Sequence, residues 1–298
     1  MLCKKLSKKF ASLLIFFTVF FLTGFGFDND NKWSVVDIIY SLTVPASRKA
    51  VFLFPHQDDE MFLAGQIVKN LEEKKDVYAI MVTDGGSSVV RSILNGRNDR
   101  GYLVHNNFGP KRHVPPFEGY DPLDRKDFAA ARNREFFDSM RRLGISPRHI
   151  YFANPGGVDG SHHPLYKDGS LSKKLAREVV ENFYQKIGDA DYYTVAGDME
   201  FGKLAHGDHV SLREGLLNFD KIKNKHFFSE NNQKGKEISL SQMQKRIKYY
   251  ALRSYFLWAP HEGRFAVGMY SVKNLLDTWS TSGKEYEISF DQNIANKD

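Results

Sequence analysis

Four short runs of the chain are apolar without alternation: AVFLF (50–54), VYAIMV (77–82), HIYFA (149–153) and YYTVA (192–196). Runs of this length, rich in β-branched and aromatic residues, predict strands covered on both faces. Between them apolar residues recur at helical spacing in MFLAGQIVKNLEEK (61–74), AAARNREFFDSMRRLG (129–144) and LAREVVENFYQKIG (175–188). Gly144 and Gly188 close the last two. Strand and helix in alternation predict an α/β fold, Rossmann-like, with a mainly parallel sheet and helices on both faces. The expected organisation is a single domain over 49–298, preceded by a lead-in at 28–48 whose WSVVDIIYSL has the spacing of one helix. SENNQKGKEIS (229–239) reads as a surface loop.

The stretch FASLLIFFTVFFLTGFGF (10–27) belongs to no layer of that fold: 18 uncharged residues between Lys4, Lys5, Lys8, Lys9 and Asp28. A basic start, an apolar middle and the small residues Gly24 and Gly26 describe an export signal. The run is also long enough to cross a bilayer as an uncleaved N-terminal anchor. On either reading the protein is expected to be exported to a periplasmic, cell-envelope or extracellular location, freed or tethered through residues 10–27. Those four lysines supply four of the six formal net positive charges. The remaining +2 offers no basic surface for nucleic acid. The single cysteine, Cys3, precedes the apolar run, so the exported part has no disulfide, no cysteine nucleophile and no cysteine metal ligand.

Open parallel sheets hold ligands beyond the carboxyl ends of their strands. PHQDDE (55–60) follows the first apolar run, TDGG (83–86) follows the second, and Asp198 follows the run that leads to HGDH (206–209). Three acids crowded beside a core are expensive unless a cation balances them. His56, Asp59 and His209 together offer two neutral nitrogens and one carboxylate, with positions left open for water and substrate, as in a catalytic zinc site. Ferrous iron accepts the same set. Taken singly, Asp58 or Asp59 also reads as a helix cap, and His206 and His209 as exposed loop residues. Residues 85–127 are rich in Gly, Pro, Asn, Arg and Asp and too long for a passive connection. They are expected to form a substrate-facing lid or small subdomain, with a disordered insertion as the alternative.

PHQDDE with AHGDH resembles the LmbE-like or PIG-L N-acetylglucosaminyl deacetylases, whose usual signatures are HPDDE early and HPDH late. TDGG (83–86), RNREFFDSMRRLGI (132–145) and KYYALRSY (248–255) add to the likeness, which covers roughly residues 49–258. Gln57 and Gly207 stand where proline is usual, and Gly86 where many members carry an acid. The resemblance implies His56, Asp59 and His209 as zinc ligands and Asp58 as general base. It further implies His206 as acid or oxyanion stabiliser and Asp208 as an orienting partner beside the ligands. Arg132 matches the family's arginine and is a candidate substrate contact, with Asp84, Arg97, Arg100 and Tyr102 as further donors and walls for a sugar.

The expected function is therefore removal of the N-acetyl group from an N-acetylglucosamine-type unit of a glycan, glycolipid or glycoside. A metal amidase acting on a non-sugar amide, or a non-catalytic glycan-binding protein, is the alternative. No G-x-G-x-x-G follows the first strand, and neither G-x-S-x-G nor H-E-x-x-H occurs, which argues against dinucleotide, serine-hydrolase and zincin chemistry.

Overall fold

The computed structural model describes residues 49–105, 112–198, 200–201, 204–231 and 235–290, with backbone alone at 200–201 and 204–205. The export or anchor segment and the lead-in lie outside the described residues. Strands β1 (Lys49–Phe54), β2 (Asp76–Met81), β3 (Ile150–Phe152) and β4 (Asp191–Val195) fall within one residue of the expected runs. Two small ribbons follow, β5–β6 (Glu200–Phe201, Leu204–Ala205) and β9–β10 (Trp258–Ala259, Arg264–Phe265). With β7 (Asn224–Phe228), β8 (Lys236–Ser239) and β11 (Lys284–Ile288), the first four strands form a seven-stranded sheet in the order β3-β2-β1-β4-β7-β11-β8. From β3 to β7 all pairs are parallel, and β11 joins β7 and β8 antiparallel. The surface loop expected at 229–239 is corrected at its end. Its last four residues form β8, an edge strand whose Lys-Glu-Ile-Ser side chains stay largely in solvent, so no apolar run marks it.

The helices are α1 (Ala64–Glu72), α2 (Val90–Leu94), α3 (Arg125–Leu143), α4 (Lys173–Ile187), α5 (Gly207–Leu217), α6 (Gln242–Leu252) and α7 (Val267–Thr281). Asp124 and Ser172 cap α3 and α4 by accepting from Asp127 N and Leu175 N. The helix expected at 61–74 begins late because Asp59–Phe62 forms a 3-10 turn first. Alternate residues of β1 feed two cores. Ala50, Phe52 and Phe54 pack with Ile67, Phe136, Ala251 and Trp279 of α1, α3, α6 and α7. Val51 and Leu53 pack with Val179, Val180, Leu212 and Leu216 of α4 and α5. The two-sided burial explains the unbroken apolar pattern of the parallel strands.

No side chain of α1's own caps its start. Glu285 of β11 does so instead, accepting from Gly65 N at 2.7 Å and Gln66 N at 2.9 Å while Lys248 of α6 approaches Oε1 at 2.8 Å. Lys248 and Glu285 are both 0% exposed, so the antiparallel edge is locked to the βα unit that carries PHQDDE by a desolvated ion pair. Lys248→Met leaves Glu285 buried without its partner and is expected to cost about 3–5 kcal/mol of stability in chemical denaturation. A variant as stable as the parent would show that the pair does not hold this edge.

The described part of the 85–127 insertion contains α2, a 3-10 turn at Pro115–Phe117 and a bridge between Arg97 and Leu103. Val90, Leu94 and Leu123 pack with Phe128 and Ala131 of α3 and with Phe265, Val267 and Tyr270. This third apolar cluster ties the insertion to the starts of α3 and α7.

Candidate active site

The chain leaves β1 through His56, Gln57 and Asp58. Asp58 adopts a left-handed backbone (φ 100°), a region that asparagine and aspartate enter more readily than bulkier residues. His56 N donates to Asp59 Oδ2 at 2.8 Å, closing a tight turn that aims both side chains the same way. Beyond β4, His206 precedes α5 and His209 lies in its first turn. Since β4 is hydrogen-bonded to β1, the two motifs meet although His56 and His209 are 153 residues apart.

His56 Nδ1 lies 2.9 Å from His209 Nε2 and 3.5 Å from Asp59 Oδ2, and His209 Nε2 lies 3.3 Å from the same oxygen. Those separations bracket the edge of a tetrahedron with ligands about 2.1 Å from its centre, roughly 3.4 Å. Two ring nitrogens pointed at each other across a carboxylate fit a shared divalent cation better than they fit one another. The ring of His206 lies 4.5 Å from that of His56 and 4.8 Å from that of His209, on the rim of the cluster. His56, His206 and His209 form one set able to grip an ion, and His56, Asp168 and Asp208 a second. The second set is the poorer place for a cation, because Arg132 Nη1 stands 3.8 Å from Asp168 and Asp208 is already engaged. Its oxygens accept from Gly169 N at 2.7 Å and Leu171 N at 2.9 Å. Asp208 and Asp168 instead flank His56 Nε2, at 3.0 and 3.2 Å, and turn Nδ1 toward Asp59 and His209.

The electrostatics follow from burial against charge. Burial opposes a proton on His56, but hydrogen bonds to Asp168, Asp208 and Asp59 outweigh it and hold the pKa well above the usual imidazole value. Burial opposes a proton on His209 as well, yet Asp59 and then Glu230 carry it to about 9. Asp59 is held far below the carboxylate range, since His209 and His56 more than offset its burial. Burial pushes Asp58 up to about 7 against the pull of Arg132. Burial, then the charges of His56 and His209, depress His206 to about 4.

Residues 51–219 match the sequence profile of the GlcNAc-PI de-N-acetylases, PIG-L. The chain belongs to the GlcNAc-PI de-N-acetylase family. As a PIG-L member it is a deacetylase, a hydrolase of an amide bond, and both clusters lie within the matched residues. The N,N'-diacetylchitobiose deacetylase from Pyrococcus horikoshii, solved with its inhibitor, is similar over 91% of this chain and 97% of its own, with a TM-score of 0.52 and 14% identity. The A40926 pseudoaglycone deacetylase is similar over 83% and 99%, with a TM-score of 0.50 and 14% identity. A triple mutant of a deacetylase from the teicoplanin biosynthetic pathway is similar over 80% and 97%, with a TM-score of 0.50 and 12% identity. At such identities the likeness is one of fold. No curated protein matches the sequence.

Within this PIG-L chain Arg132, expected at the substrate, is 6% exposed. It donates to Gln57 O at 2.8 Å and Gly85 O at 3.1 Å and stands 3.4 Å from Asp58 Oδ2. Asp84, expected there too, is 3% exposed, with one oxygen accepting from Asp168 N at 2.7 Å and the other from Arg125 Nε at 3.2 Å. Both side chains thus brace the loops that carry Asp58 and Asp168. Arg97 and Arg100 are exposed on the insertion, as is Tyr102, and among the described residues no hydrogen bond joins the two arginine side chains to the cluster. His162 and His163 are exposed, and His261 points into solvent. Gln57, in place of proline, donates to Asn133 Oδ1 at 2.7 Å and ties the motif to α3. Gly85 (φ 64°) makes room for it, since a Cβ there would sit 2.1 Å from Gln57 Oε1.

Sequence reasoning missed two acids. Asp168, in the DG turn of YKDGS, faces His56, and its other oxygen accepts from Ser87 N at 3.1 Å. Glu230, just past β7, pairs with His209 Nδ1. Asp198 positions Glu230 by accepting from its N–H at 2.8 Å and from the Ser229 hydroxyl at 2.6 Å.

Proposed function

We propose that the protein is an exported zinc-dependent hydrolase that removes the N-acetyl group from an N-acetylglucosamine-type unit of a glycan, glycolipid or glycoside. One observation carries the reading: the trio His56, Asp59 and His209 closes to ligand distances with Asp58 and His206 beside it, a base and a donor that binding alone does not require. The export part rests on the N-terminal sequence. Ferrous iron fits the same donors.

A cation held by this trio supplies, when bound, polarisation of the acetyl carbonyl and acidification of water. The chain supplies the proton transfers. Asp58 takes a proton from the attacking water, and a carboxyl near pH 7 also returns it to the departing nitrogen at neutral pH. His206 is neutral at that pH, so its part is that of an N–H donor to the oxygen on which charge develops, rather than that of an imidazolium acid. Arg132 holds Asp58 through its side chain and through Gln57 O.

Two consequences concern the cation itself. Zinc at one hundred times its Kd is expected to stabilise the protein by about 2.7 kcal/mol, and chelation to remove that gain, in thermal unfolding. Identical transitions with zinc and with chelator would speak against the site. Without the cation the carboxylates around them raise the pKa of both rings, that of His209 to about 9, and at most one of the facing nitrogens His56 Nδ1 and His209 Nε2, 2.9 Å apart, carries a hydrogen, while ligation needs both rings neutral. Zinc uptake at pH 7 is therefore expected to release a proton from His209, and affinity to rise with pH toward the His209 value of about 9; calorimetry in buffers of different ionisation enthalpy reads the release. Uptake without proton release would mean that another set binds.

The substrate class is tested by primary-amine release from N-acetylglucosamine, its oligomers, an N-acetylglucosamine glycolipid and an N-acetylated amine lacking a sugar. Turnover of the sugar-bearing compounds is expected; turnover of the non-sugar amide alone would replace the reading by a general amidase.

A further inference from the structure

The third acid of PHQDDE has no part in the mechanism above, yet it is placed with care. Glu60 is 0% exposed, two residues beyond the left-handed Asp58. Its Oε1 accepts the hydroxyl of Tyr255 at 2.7 Å, and that hydroxyl oxygen accepts Asp58 N–H at 2.9 Å. Tyr255, 1% exposed, lies 195 residues away in the 3-10 turn Arg253–Phe256 after α6, so the contact is built by the fold rather than by local turn geometry. Nothing else is hydrogen-bonded to the Tyr255 hydroxyl among the described residues, and burial keeps its proton on.

The surroundings fix the ring as closely as the hydroxyl. A Cβ on Gly268 of α7 would meet Tyr255 Cβ and Cδ1 at 2.7 Å, so only glycine lets helix and ring approach this far. Glu135 of α3 holds the start of α7, accepting from Val267 N at 2.6 Å and Gly268 N at 3.1 Å. Glu135 lies one helical turn beyond Arg132, which grips Asp58 from its carboxylate side. One helix therefore secures Asp58 twice, directly through Arg132 and indirectly through Glu135, α7 and the tyrosine ring.

A non-glycine residue at φ 100° is held there only by its surroundings, and a general base displaced by about 1 Å can lose about 100-fold in rate. We propose that Glu60 and Tyr255 are positioning residues that fix the aim of Asp58, the glutamate orienting the tyrosine hydroxyl and the hydroxyl pinning the strained Asp58 amide. The inference rests on Asp58 being the base.

Tyr255→Phe removes the hydroxyl alone. It is expected to lower kcat at least about tenfold with KM within about twofold, the signature of a mispositioned base rather than of lost binding. Zinc stoichiometry is expected to be unchanged, and deuterium exchange at the Asp58 amide to accelerate. In an Asp58→Asn background the same change is expected to cost less than about twofold, because a group that acts through Asp58 has nothing left to position. A full multiplicative loss in that background, a parental kcat in the single variant, or unaltered exchange at Asp58 would each overturn the proposal. If Tyr255→Phe does not fold, Glu60 decides the matter. Glu60→Gln keeps an oxygen for the tyrosine and is expected to exceed Glu60→Leu at least about fivefold in kcat, whereas equal rates would overturn it. Were Asp58→Asn fully active, the deacetylation mechanism would fall while the exchange measurement still judged the hydrogen bond.

Discussion

Asp58→Asn is expected to bind zinc as the parent does and to lose at least about 100-fold in kcat, the usual size of a general-base contribution. Asp58 lies outside the trio His56, Asp59 and His209, so the amide leaves the ligand atoms in place. Asparagine is nearly isosteric, tolerates the left-handed backbone and still accepts from Arg132, so its cost falls on proton transfer rather than on folding. The parent carries the opposing influences that place a base near neutrality: burial raises Asp58 to about 7 while Arg132 pulls it down. Zinc titration with single-turnover kinetics checks the prediction. A zinc-replete variant turning over at the parental rate would remove Asp58 from the reaction.

His209→Ala is expected to weaken zinc binding by more than about 100-fold and to abolish turnover with it, whereas Glu230→Gln weakens binding by about 10–100-fold. The order follows from position. His209 Nε2 faces Asp59 and His56, while Glu230 pairs with the far nitrogen, Nδ1, and orients the ring. The alanine also leaves Asp59 and Glu230 buried without their imidazole, so part of the effect is expected as a lower melting temperature even without metal. Equilibrium dialysis ranks the variants. A metal-replete, active His209→Ala would mean that the third ligand lies elsewhere, with His206 the next to test.

The parallel half of the fold is legible because its strands are buried on both faces and its helices have one apolar stripe each. That is why β1 to β4 emerge from composition within a residue of their ends. The antiparallel edge is not legible in the same way. β8 and β11 are half in solvent, and their polar sequences satisfy a loop as well as a strand. In the site, His56, Asp58, Asp59, His206, Asp208 and His209 stand out because they sit in two dense clusters at strand ends. Asp168 and Glu230 sit in ordinary loop sequences and acquire their roles only when β7 pairs with β4 and the 154–172 segment folds over β1. The same holds for Tyr255, whose hydroxyl finds Asp58 across 197 residues. Arg132 and Asp84 are conspicuous in sequence but ambiguous in role, since a guanidinium beside a carboxylate serves a sugar or a neighbouring loop equally well until burial is known.

The most direct test of the central claim is hydrolysis of an N-acetylglucosamine-terminated substrate by the zinc-loaded full chain in ¹⁸O-labelled water, with both products analysed by mass spectrometry. Water attacking the acetyl carbon places one label in the released acetate and none in the glucosamine-type product, and Asp58→Asn forms neither at a comparable rate. Label in the sugar, or a sugar that leaves with its acetyl group intact, would contradict deacetylation at this site.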